Sequence, residues 1–95
     1  MVRVTVKILG VAKEAAGTGE GVLKLPEGTD ISTALGTLFK DYGEGLRDAI
    51  LDPITGTPVA TLILVNGIEI GNLEGLNTLL SDGDNLVLLS VTHGG

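Results

Sequence analysis

The sequence ends in Gly94-Gly95, and these two residues have the type and placement best suited to chemistry. Glycine has no Cβ, so a chain ending this way can thread a narrow slot and bring its carboxylate close to another protein's reactive groups. A free carboxylate is a poor electrophile. Activation by ATP as an acyl-adenylate would open its carbon to sulfur or nitrogen nucleophiles. Glycine is common in this chain, 15 of 95 residues, so the pair alone does not separate a reactive terminus from chance or a truncated ending.

The other residues that invite a chemical reading fit bland ones better. Gly17-Thr18-Gly19-Glu20-Gly21 has the glycines of a phosphate cradle but no Gly-Lys-Ser/Thr and no helix after it, so it reads as a flexible loop. Asp82-Gly83-Asp84-Asn85 has a misplaced glycine for a calcium loop, and the twelfth position is His93 rather than Glu. His93 is the sole histidine, with no Ser or Cys beside it in a catalytic pattern, and reads as an exposed tail residue. Asp48 and Asp52 share one helix face and read as solvated surface. The sequence shows no internal active site or metal site. A chain of that kind ending in Gly-Gly fits a substrate for other enzymes.

Bulk properties narrow the class. The length of 95 residues predicts one domain, 1–95. The 43% apolar fraction is Leu, Val, Ile and Ala, with only Phe39 and Tyr42 aromatic, so the core is aliphatic and no aromatic platform for bases exists. The net charge of −6 with no basic run argues against nucleic acid and favours a basic protein partner. Absence of cysteine removes disulfides, thiolate metal sites and a thiol nucleophile. The alternating N-terminus is no signal peptide, and apolar runs are too short to span a membrane, which predicts a cytoplasmic protein.

These residues need a scaffold, and its elements follow from periodicity. Val2, Val4, Val6 and Ile8 alternate with Arg3, Thr5 and Lys7, giving a strand with one core face. The Gly- and Ala-rich segment 10–21 predicts a loop, and Val22–Leu25 a second strand forming a hairpin with the first. Thr29 or Asp30 caps a helix to about Asp41, whose Ile31, Ala34, Leu35, Leu38 and Phe39 share one face. Leu46–Leu51 predicts a short second helix and Asp52–Gly56 a turn. Val59–Val65 predicts a strand, Asn66-Gly67 a tight hairpin and Ile68–Ile70 its return. Leu73, Leu76, Leu79 and Leu80 are candidate anchors in an irregular stretch. Asn85–Val91 is the last strand, with Thr92–Gly95 projecting beyond it as a mobile tail.

Two runs, Leu62-Ile63-Leu64-Val65 and Leu86-Val87-Leu88-Leu89, break the alternation. Such runs mark strands covered on both faces. One good helix covers one face of a sheet, so either the second helix and loops cover the other or an aliphatic patch awaits a partner.

Over its whole length the chain resembles the β-grasp sulfur carriers and ubiquitin-like modifiers. The residues that carry this are Val2–Leu9, Pro26-Glu27-Gly28-Thr29, Leu64-Val65-Asn66-Gly67, Gly75-Leu76-Asn77-Thr78, Leu80-Ser81-Asp82-Gly83-Asp84 and Gly94-Gly95. It is similar above all to the small subunit of molybdopterin synthase, and its Thr92-His93-Gly94-Gly95 ending also to the ubiquitin-related modifier of tRNA thiolation. The resemblance implies an α+β β-grasp fold, a mixed sheet of four or five strands with one main helix on one face. It implies no bound cofactor, and an activating enzyme that uses ATP to adenylate Gly95. Sulfur then gives a thiocarboxylate for the large molybdopterin-synthase subunit, for tRNA thiolation, or an activated end for conjugation to lysines. Gly95 would carry the sulfur and Gly94 give slot access, with Thr92 and His93 also contacting the partner. By the same resemblance Leu62, Leu64, Val87 and Leu89 face outward as the partner surface, while Ile63, Val65, Leu86 and Leu88 face the helix. The tail has no arginine, unlike that of ubiquitin.

Overall fold

A computed structural model of the protein describes residues 1–91. The order is β1 (Val2–Gly10), α1 (Val11–Ala16), β2 (Glu20–Leu25), α2 (Ile31–Tyr42), α3 (Glu44–Ile50), β3 (Thr61–Val65), β4 (Ile68–Glu69), two 3-10 turns and β5 (Asn85–Ser90). The five strands form one mixed sheet in the order β2-β1-β5-β3-β4. β1 and β5 run parallel at its centre, and every other neighbouring pair is antiparallel.

Alternation fixes the inner face. Val2, Val4, Val6 and Ile8 of β1 join Leu86 and Leu88 of β5, Ile63 and Val65 of β3, and Leu23 and Leu25 of β2. The buried Ile31, Ala34, Leu35 and Leu38 of α2 complete the same core. α2 begins where Asp30 accepts a hydrogen bond from the Thr33 N–H at 2.8 Å. It ends at Gly43, whose N–H donates to the Phe39 carbonyl. Asn66 and Gly67 both take positive φ, 52° and 84°, as a two-residue hairpin turn requires. The Asn66 side chain also donates to Asp84 and accepts from the Asn85 N–H, tying that turn to the start of β5.

Four expectations need correction. Segment 10–21 is not a loop throughout, since Val11–Ala16 is helical and buries Ala12. Its alanines are strong helix formers, and Gly17 stops the helix in the left-handed conformation. β1 and β2 are antiparallel as expected, but α1 joins them in place of a tight turn. β3 starts at Thr61 rather than Val59, because Ala60 has φ 51° and breaks the strand. Leu73 and Leu79 are exposed, while Leu76 is half-buried and Leu80 buried. Two hydrogen bonds, Ile31 N–H to the Thr78 carbonyl and Leu80 N–H to the Thr29 carbonyl, set this pattern. They fix Thr78 and Leu80 inward and turn Leu79 out.

Candidate functional site

Residues that alternate with the core positions form the sheet's outer face. The register puts Leu89 of β5 between Leu9 of β1 and Leu62 of β3, and Val87 between Lys7 and Leu64. Leu62, Leu64, Val87 and Leu89 therefore lie together in two adjacent rows, on the side the family resemblance implied for them. Leu62 is 50% exposed and Leu9 40%, while Leu64, Val87 and Leu89 are half-buried by their neighbours. The helices contribute to the inner core and leave this patch open.

Sequence reasoning missed two members of the surface. Leu9 occupies the outward phase of β1, so its alternation with Ile8 already marked it. Val91, 50% exposed, follows β5 and is held by its N–H bond to the Ala60 carbonyl at 2.9 Å. Beside them Gly10, Val11, Glu14, Leu89, Ser90 and Val91 line an open groove at the end of β5. Gly10 is needed there. Its φ is 71°, and a Cβ would overlap the Ser90 carbonyl oxygen.

Charge is unevenly spread. The outer face carries Arg3, Lys7 and Lys24, three of the six basic residues, with Glu20 and Glu69 as its acids. The excess negative charge therefore lies elsewhere, and the patch itself is flanked by Lys7 beside Val87 and Glu69 beside Leu64. The carboxylates of Asp82 and Asp84 are occupied with backbone N–H groups, of Arg3 at 2.8 Å and Ser81 at 2.7 Å. Asp30 is the one described group with a resolved shift. The Thr33 backbone N–H holds its carboxylate below the usual range. Thr92, His93, Gly94 and Gly95, expected as a mobile tail with Gly95 the reactive end, fall outside the described residues.

A scan of the sequence against models of protein families gives no match, and neither does comparison with curated proteins. Solved structures do match. The small archaeal modifier protein 1 of Methanosarcina acetivorans is 32% identical, with 100% of this chain and 98% of that one aligned at a TM-score of 0.76. The chain belongs to the β-grasp family of ubiquitin-like sulfur carriers and modifiers. Urm1 of Trypanosoma brucei shares 25% identity over 98% of this chain and 95% of its own, at a TM-score of 0.79. A protein from Pyrococcus furiosus titled a molybdopterin converting factor, subunit 1, shares the fold at 23% identity, covering 97% of this chain and all of its own, with a TM-score of 0.76. Membership in the β-grasp carrier family fits a chain that partners act upon rather than a catalyst. Among the described residues no helix is long and apolar enough to cross a membrane.

Proposed function

We propose that this β-grasp protein is a sulfur carrier for molybdopterin assembly. An activating enzyme docks on the outer face, and the Gly95 carboxylate attacks the α-phosphorus of ATP, releasing pyrophosphate. The terminal sulfur of a partner's persulfide then displaces AMP to give an acyl disulfide. A second partner thiol reduces its S–S bond, leaving a disulfide on the partner and freeing the thiocarboxylate that a large synthase subunit uses as its sulfur source. One observation carries this reading: Val87 and Leu89, at the centre of the apolar patch, belong to the strand that runs on into the Gly-Gly tail. A partner seated on Leu62, Leu64, Val87 and Leu89 thereby sits beside the root of that tail. Gly94 would let the chain pass a narrow slot, with Thr92 and His93 contacting its walls.

A second reading is conjugation of Gly95 to lysines. The relative at 32% identity is named a modifier, which favours keeping it. Transfer of the same sulfur to tRNA is a further destination for the carrier. Intact-mass analysis of the protein purified from its native cells separates these. A sulfur-for-oxygen exchange at Gly95 is the result expected of a carrier, and a Gly-Gly branch on other proteins' lysines that of a modifier. A chain that continues past Gly95, with neither product present, would sink both.

A further inference from the structure

The strand order leaves two sheet edges, β4 of two residues and β2 of six. In β1 the Thr5 N–H donates to Asp84 on the β5 side, and the Ile8 N–H donates to Gly19 on the β2 side. Even-numbered residues of β1 thus turn their backbone toward β2. Gly21, Leu23 and Leu25, opposite Val6, Val4 and Val2, turn theirs back to β1. The N–H and C=O groups of Glu20, Val22 and Lys24 consequently point out of the sheet edge, where the Thr18 hydroxyl accepts from the Glu20 N–H at 3.3 Å and donates to its carbonyl at 3.1 Å. Their side chains lie exposed on the outer face.

We propose that β2 pairs with β2 of a second copy, antiparallel about a twofold axis at Val22, joining two sheets into one. In this register Val22 meets Val22 of the second copy, and each Glu20 lies opposite the other copy's Lys24. Val22 of each copy exchanges two backbone bonds with the other, and Glu20 gives up its Thr18 hydroxyl bonds to pair with the N–H and carbonyl of the second copy's Lys24. Charge selects this arrangement. Within one copy Lys24 stands opposite Arg3, a like-charge pair that is unfavourable at such close range. Pairing sets a Glu20 on the other side of Lys24. Across the joined sheet the row becomes Lys7, Glu20, then Lys24 and Arg3 of the second copy, with a carboxylate between ammonium groups. A shift of two residues in one direction brings Pro26, which has no N–H, into the ladder, and either shift loses both ion pairs.

Gly21 falls opposite Leu23 of the second copy, and both lie below the outer surface, with the Tyr42 hydroxyl filling the space where a Gly21 side chain would be. The axis stands perpendicular to the sheet. Both apolar patches therefore face the same way and stay uncovered, since β1 separates β2 from β5. So small an interface makes a weak, reversible dimer.

Sedimentation equilibrium of the full chain at low salt, from about 10 μM to about 1 mM, tests this. The expected result is a reversible monomer–dimer equilibrium. Lys24→Glu sets Glu against Glu at both ends and should weaken the dimer by about tenfold or more. It also removes the Arg3 clash, so the variant should melt no lower than wild type. The swap Glu20→Lys with Lys24→Glu should restore association. Val22→Pro removes an N–H that the single copy does not use, and should abolish it. A wild type that stays monomeric throughout the range overturns the proposal. So does a dimer indifferent to Lys24→Glu and Val22→Pro, or one that Lys24→Glu breaks and the swap fails to repair.

Discussion

Leu62 is a side chain whose proposed role in binding can be separated from folding. It is half exposed, while its neighbour Ile63 is buried at 2% exposure. Leu62→Asp should therefore change stability by no more than about 0.5 kcal/mol in a urea titration. The same change should sharply weaken capture by the activating enzyme, read by surface plasmon resonance. A variant that unfolds instead would place Leu62 in the core. Asp30 makes the complementary case of a residue that serves the fold. Its carboxylate caps α2 through the Thr33 N–H, and that bond lowers its pKa in the folded state. The ionised cap therefore stabilises the protein above the unfolded pKa, and this contribution fades as pH falls through the lower folded value. Melting temperatures of wild type and Asp30→Asn should differ most near neutrality and converge in acid. A constant difference across the acid range would remove the carboxylate from that role.

At the scale of elements, α2 is the member whose packing is easiest to test. Leu35 is 3% exposed at its centre, and Leu35→Ala should cost about 2–4 kcal/mol in a denaturant titration. A cost near zero would detach α2 from the core. The helix was legible because its apolar residues recur at helical spacing and Asp30 marks its start. β1 was legible because its alternation is complete. The runs in β3 and β5 carry no alternation, so their inward and outward sides came from family resemblance, and the structure agrees with that assignment. α1 stayed hidden because Gly10 and Gly17 flank a short alanine-rich segment, and glycines read as loop. Leu79 was misjudged for another reason. Its direction is set by the bridge between Asp30 and Leu79, partners far apart in sequence that no local pattern links. Four members of the outer apolar patch could thus be named before the fold was known, and the alternation of β1 already marked Leu9, while Val91 needed the register of the assembled sheet.

For the whole molecule, the proposal separates a folded body from a working end. One alanine added after Gly95 should leave the melting temperature unchanged, since the core described lies within residues 2–88. It would move the carboxylate by about 3.5 Å along an extended chain. A misplacement of about 1 Å can already cost roughly a hundredfold in rate. ATP–pyrophosphate exchange with the activating enzyme should therefore be lost in the extended protein, and equal exchange rates would remove Gly95 from the chemistry. The charge layout acts at this scale too. In a molecule of net charge −6, placing three of its six basic residues on the outer face leaves most of the negative charge on its other surfaces. The parallel pairing of β1 with β5 has a consequence for synthesis. The centre of the sheet cannot close until the last strand has left the ribosome, because Thr5 must wait for Asn85. The strand that completes the fold is also the one that supplies Val87 and Leu89, so a half-made chain does not yet present the outer apolar patch. Under the proposed function, folding itself is the checkpoint before activation.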